Sequence, residues 1–317
     1  MRLNSNSSPL LLLQKNIIWA FENSTPYVGN TLKTAVDEGL VSSQIDLNCY
    51  DRSAPPKGPG ITKCRPAEMR LSLKHLELLW SFIYGWFVLF EEGIQKPRMR
   101  NEYDAVDLSV PMLARARQLI DWAVSLQTTC TDYPPGLPSP LKYQNSEEQA
   151  YGETTNLAFQ QAVAFLLGHE FAHANGGHLE SIDKTTPNDE VIKAENEADN
   201  DAFERLIEQG YNDKDKLSKA LAILMALVSS IYLGEERITT FRQVRHPNMD
   251  VRICNLMHKI DFQEKKNRDY FFLLASLMLD EALPEEHRED GKSVLYADAE
   301  EAFQATLDRI EKWARPT

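Results

Sequence analysis

The run His169-Glu170-Phe171-Ala172-His173 carries the clearest chemistry in this chain. On a helix, residues four apart share one face, about one turn along the axis. Two imidazoles so placed can reach one zinc ion at about 2.0–2.1 Å. Glu170 follows the first histidine and points to the side of that pair, where it can take a proton from an activated water. The stretch before it, Leu157 to Leu167, reads LAFQQAVAFLL and is apolar nearly all round, so the helix is expected to be buried. Burying two histidines and a glutamate there is costly without partners, and a metal supplies one. Gly176-Gly177 then ends the helix.

A catalytic zinc site usually takes three protein ligands. His178 is one candidate for the third. The segment HEFAHANGGH resembles the metzincin pattern HExxHxxGxxH, but Leu179 stands where that pattern has its last histidine. The other candidate lies in Ala194-Glu195-Asn196-Glu197-Ala198-Asp199-Asn200-Asp201-Ala202, which holds two overlapping ExxxD frames. At about 100° per residue, Glu195 shares a face with Val191, Ala198, Asp199, Ala202 and Leu206. Glu197 falls with Lys193, Asn200, Asp201, Glu204 and Glu208 on a solvated face. The inward frame is preferred: Glu195 completes the metal set of His169, His173 and Glu195. Asp199, one turn on, would accept the free ring N–H of a ligand histidine, with His169 the favoured partner.

Downstream stands Arg245-His246-Pro247-Asn248-Met249-Asp250-Val251-Arg252-Ile253. HExxH, then ExEADxxA, then HPxxxxRI resembles the active-site order of gluzincin peptidases of the HtpX, Oma and CAAX-prenyl-protease type. The resemblance implies a zincin-like metallopeptidase core with Glu170 as catalytic base. It also implies that His246 and Arg252 lie near the metal and help stabilise the oxyanion, since a tetrahedral intermediate needs donors beyond the zinc. The chain departs from that group in lacking clear transmembrane helices. In size, solubility and its HEFAH helix it is similar to the Lit-type phage-exclusion peptidases, which cleave a cytosolic translation factor. The expected activity is therefore a zinc-dependent endopeptidase. Its rivals are a zinc hydrolase of a non-peptide amide and a non-enzymatic helical binding module with a silent zinc site. Intact Glu170 argues against the last, because a scaffold needs no base.

Most of the chain has helical periodicity. Expected helices run over Ala67 to Glu92, Pro111 to Thr128, Thr155 to Asn175, Asn188 to Gln209, Asp215 to Tyr232, Pro247 to Lys259, Tyr270 to Glu281 and Ala297 to Ala314. Strand candidates are Gln44 to Tyr50 and Tyr103 to Val110, the second a candidate edge for pairing with a substrate strand. The fold class is mainly α with a small β-sheet. Two Pro/Gly-rich loops, Ala54 to Gly60 and Tyr133 to Pro140, punctuate it. They suggest a mainly helical N-terminal region over 1–140 and a catalytic region over 141–317.

With 317 residues, 43% of them hydrophobic, the chain can bury a core without help from a metal, so a metal is free to serve chemistry. A net charge of −13 repels phosphate backbones and anionic membranes, which argues against nucleic acid and membrane as partners. The expected partners are a protein substrate, with an activating peptide or protein as a further candidate. The runs Leu78 to Phe90 and Leu221 to Gly234 fall short of the roughly 20 residues a membrane helix needs, and read as buried core. Leu10 to Leu13 is too short for a signal peptide. Cys49, Cys64, Cys130 and Cys254 contain no CxxC pair, and reduced thiols in the cytoplasm are expected.

Overall fold

The computed structural model describes residues 8–23, 26–47, 55–102, 106–207, 212–234, 236–289 and 296–316. Its helices are α1 (Gln14–Glu22), α2 (Pro26–Asp37), α3 (Leu73–Phe90), α4 (Lys96–Met99), α5 (Pro111–Ser125) and α6 (Ser146–Asn175). They continue with α7 (His178–Ser181), α8 (Asn188–Ile207), α9 (Asp213–Ser230), α10 (Met249–Met257), α11 (Lys265–Ala282) and α12 (Ala299–Ala314). One short antiparallel pair, β1 (Gly60–Ile61) with β2 (Met69–Arg70), completes a mainly α fold with a small sheet. The apolar core is continuous and draws on residues from Leu10 to Ala314.

The organising element is α6. At 30 residues it is about 45 Å long, and it packs against α1, α3, α8 and α9. It starts nine residues before the expected Thr155, because Asn145 caps it: the Asn145 side chain accepts the Glu148 N–H at 2.8 Å. The added turns carry no apolar stripe, which hid them from periodicity. Instead they carry Glu148, which is buried and accepts from Arg115 Nε at 2.6 Å, tying α6 to α5.

Alongside runs α3, buried over nearly its whole length, charged residues included. Lys74 keeps its ammonium satisfied by donating to the carbonyls of Leu126 at 3.4 Å and Thr129 at 2.9 Å, just past the end of α5. Trp80 donates its indole N–H to Asn156 on α6 at 2.8 Å. Beyond Phe90 a π-helical turn presents Glu91 and Glu92, which accept from Tyr270 and Tyr151. Among the described residues, no helix is long and apolar enough to cross a membrane.

The strand expectations need correction. The helix expected from Ala67 begins only at Leu73, because the chain before it pairs instead: Ala67 N–H reaches Leu40 O and Leu71 N–H reaches Asp46 O. Within Gln44 to Tyr50 the described residues reach only an isolated bridge, Asp46 to Arg70, and residues 48–50 lie outside the described set. Within Tyr103 to Val110, residues 106–110 are irregular and turn rather than strand, with residues 103–105 outside the described set. Alternation of polar and apolar residues there lacks a partner strand, so Val106, Leu108 and Val110 stay partly exposed. Cys64 and Cys254 are free thiols; Cys49 lies outside the described residues.

One core residue gives the fold a pH dependence. His75 on α3 is fully buried, and neither ring nitrogen has a hydrogen-bond partner among the described residues. Burial holds its pKa down at about 4. The unfolded chain protonates the same ring near 6.5 and so binds more protons as the pH falls. This share of stability is complete above about 6.5 and is lost towards 4; between about pH 7 and pH 5 the loss is about 2 kcal/mol. Urea unfolding should show that loss in the wild type, and His75→Leu should be less pH-dependent by about that amount. Equal slopes in the two proteins would show that His75 titrates normally.

Candidate metal centre

Two helices meet to form the site. The last turns of α6 present His169 and His173, and the middle of α8 presents Glu195 and Asp199. All four are at most 9% exposed, as is Glu170 at 7%. Val191, Ala194, Ala198, Ala202 and Leu206 bury the same stripe of α8 that carries the two carboxylates. Glu197, in the rival frame, is exposed.

The two Nε2 atoms of His169 and His173 lie 3.1 Å apart. Glu195 places Oε2 3.5 Å from the first and Oε1 3.5 Å from the second. Four-coordinate zinc with bonds of about 2.0–2.1 Å separates its ligand atoms by roughly 3.3 Å. The observed spacings bracket that value, with a different Glu195 oxygen facing each nitrogen, so the donor set suits a small tetrahedral cation. Among the described residues, these three form the one His/Cys/Asp/Glu group close enough to hold a metal ion.

Behind the donors sits Asp199. Its Oδ1 is 2.9 Å from His169 Nδ1, which donates to it and so turns Nε2 towards the cluster. Arg252, on α10, donates to both oxygens of the same carboxylate, Nε to Oδ2 at 2.7 Å and Nη2 to Oδ1 at 2.6 Å. Its guanidinium thus lies behind His169, engaged with Asp199. His246, in the loop before α10, touches Glu195 through Nδ1 at 3.1 Å and leaves 55% of its side chain exposed. It is the open edge of an otherwise closed site.

The electrostatics follow from burial and partners. Burial opposes a charge on His169, but Asp199 and Glu195 outweigh it and hold the ring's pKa at about 10. Burial lowers His173 to about 4, helped by the charge on His169. Burial raises Glu170 to about 7, with His169 pulling the other way. Burial works against Glu195 and Asp199 as anions too; His169 and His246 keep the first ionised, and Arg252 with His169 keeps the second ionised.

His178, the other candidate third ligand, is not in the cluster. It stands against the far side of His173, Nδ1 to Nδ1 at 3.1 Å. The connection between α6 and α8 is tied down around it. Arg65 donates to Glu180 at 2.5 Å, Lys63 to the Ile182 carbonyl, and Arg245 to the carbonyls of Asp183 at 2.7 Å and Thr186 at 3.0 Å. These anchors come from the β1–β2 hairpin and from the residue before His246. Single-sequence periodicity has no means of pairing them with a segment 59 to 119 residues away.

The family model described as Peptidase U49 matches residues 69–274, well over half of the chain. The matched span runs from β2 into α11 and contains every candidate site residue. No curated protein and no solved structure matches the chain.

The geometry separates Arg252 from His246 by role. Removing Arg252 leaves the Asp199 carboxylate buried with half its partners gone. Arg252→Met should therefore cost about 3–5 kcal/mol in urea unfolding. His246 is half-exposed with one contact, so His246→Ala should cost under about 1 kcal/mol. Equal costs would mean that the Arg252–Asp199 pair is not the strut described.

Proposed function

The chain belongs to the Peptidase U49 family, and on that premise we propose that it is a zinc-dependent endopeptidase of gluzincin type with a zincin-like core. His169, His173 and Glu195 hold the zinc. The observation that carries this reading is that the two Nε2 atoms lie 3.1 Å apart with one oxygen of Glu195 3.5 Å from each, beside a buried glutamate outside that set. When bound, zinc supplies Lewis acidity towards a scissile carbonyl and makes a nearby water more acidic. A peptidase family implies a protein substrate, and the mainly apolar interior leaves the work of recognition to the rim.

Glu170 acts as the general base. A pKa of about 7 suits a group that must take a proton from water and then return it to the leaving amine. Asp199 fixes the His169 tautomer, and Arg252 fixes Asp199. Arg252 is thus a positioning residue in this reading, which replaces the direct role at the oxyanion that the sequence resemblance implied. His246 keeps that role, because its ring is exposed beside Glu195, where a substrate carbonyl can reach it.

Three variants test the proposal on one lysate digest with mapped new termini. Glu170→Gln should keep about one zinc per chain and lose about 10²–10⁴-fold in rate, since the amide cannot accept the proton. His246→Ala should keep zinc and lose about 10²–10³-fold in turnover with little change in KM. Glu195→Ala should lose the metal, because two histidines seldom hold a catalytic zinc. Full zinc in Glu195→Ala, or wild-type turnover in zinc-loaded Glu170→Gln, would sink the reading.

A further inference from the structure

His169 has its carboxylate behind it. His173 has none, and the structure shows another histidine in that place. We propose that His178 and Glu197 form a second orienting arm, a positioning relay that sets the tautomer of His173 as Asp199 sets that of His169; the inference rests on the metal reading above.

The proton positions follow from one end to the other. The Nε2 atoms of His169 and His173 converge on Glu195, so Nε2 is the metal-facing nitrogen of both rings. An imidazole that offers its Nε2 lone pair carries its proton on Nδ1. His173 Nδ1 lies 3.1 Å from His178 Nδ1, which must then accept. The proton of a neutral His178 is thereby placed on Nε2. That atom lies 3.3 Å from Glu197 Oε2, within ion-pair range. The relay thus runs from His173 through one hydrogen bond to His178 and ends beside a carboxylate.

The local backbone is shaped for this. Gly177 at φ 72° takes the left-handed conformation that turns the chain back at the end of α6. A Cβ on Gly176 would lie 3.0 Å from His178 Nε2 and 3.3 Å from Cε1, tighter than ordinary contact, so glycine leaves the ring its room. The rings of His173 and His178 meet edge to face, 5.2 Å between centroids at 69°. His178 is 13% exposed on its side chain, although it belongs to a four-residue surface helix. Glu197 is 53% exposed and is shared with Lys193 at 3.7 Å. Its frame is solvated as the helical face dictates, yet it reaches the site through an intermediary. This also accounts for the near-miss to the metzincin spacing: the histidine after the double glycine serves the ligand and does not join it.

The test uses the full chain, stripped with chelator and titrated with zinc against a chromophoric competitor. Cobalt substitution reads the geometry of the site. His178→Phe should weaken zinc binding about 10–100-fold and change the visible cobalt bands, while the melting point of the metal-free protein hardly moves. His178→Gln should recover most of that affinity, because its amide can accept from His173 and donate to Glu197. Glu197→Gln should weaken zinc by a smaller factor without changing the metal-free melting point. This exposed position carries the test by itself if His178→Phe does not fold. Wild-type affinity and cobalt spectrum in His178→Phe or Glu197→Gln would overturn the relay alone, as would failure of His178→Gln to recover. A wild-type protein that takes up no zinc would overturn the metal reading and the relay with it.

Discussion

One carboxylate, that of Asp199, is 2% exposed and takes three hydrogen bonds from two directions. From one side it accepts the Nδ1–H of His169 and so decides which nitrogen that ring shows to the cluster. From the other it accepts both arms of Arg252 and so binds α10 to α8. A buried anion is tolerable only with such partners. The requirement is mutual: Arg252 is itself largely buried, and without Asp199 it would be a cation with nowhere to go. The loop that carries His246 is held in place through the same pair, because Arg252 sits six residues further along the chain. A demand of electrostatics therefore assembles three separated segments of sequence into one site.

Packing sets the precision of that assembly. The site lies where α6 and α8 touch, and α6 is clamped on its other sides by α1, α3 and α9. Ala198 and Ala202 are small and fully buried on the contact stripe of α8. They let the two helices approach closely enough for a glutamate to span two histidines one turn apart. Bulkier residues there would push Glu195 back by more than the few tenths of an ångström that a tetrahedral donor set tolerates. The apolar core thus does more than stabilise the fold; it fixes distances between polar atoms that would repel or hydrate if left free.

Much of this was legible because helices obey a simple period. The i, i+4 spacing of His169 and His173, and the choice of the Glu195–Asp199 frame over Glu197–Asp201, are statements about helical faces, and both helices exist where expected. The same reasoning put Asp199 on the inward face, and packing of α8 against α6 pairs it with His169. What escaped was everything set by contact between distant segments. The first nine residues of α6 are polar outside and held by Asn145 and the buried Arg115–Glu148 pair, so no apolar stripe announces them. Residues 67–71 have helical periodicity but pair with Leu40 to Asp46. Among the described residues, the alternation before Pro111 imitates a strand that has no neighbour. Arg252 was placed near the metal by resemblance, but its partner is a carboxylate that only the packed helices bring to it.

The site is also lopsided, and the asymmetry bears on how a substrate enters. On the His169 side Asp199 and Arg252 stand behind the ring, and the cavity of about 210 Å³ beyond them reaches that pair but not the three donors. On the His173 side the supports run outward, through His178 at 13% exposure to Glu197 at 53%. On the Glu195 side His246 stands in solvent. A polypeptide cannot approach through a buried ion pair, so in the proposed reading it approaches over the edge lined by His246 and the connection between α6 and α8. That connection is pinned by Lys63 and Arg65 from the hairpin and by Arg245 from the His246 loop. The anchors that keep the two helices in register thus also shape the rim a substrate must cross. The hairpin, remote in sequence from the HExxH run, comes to bear on the site through Lys63 and Arg65.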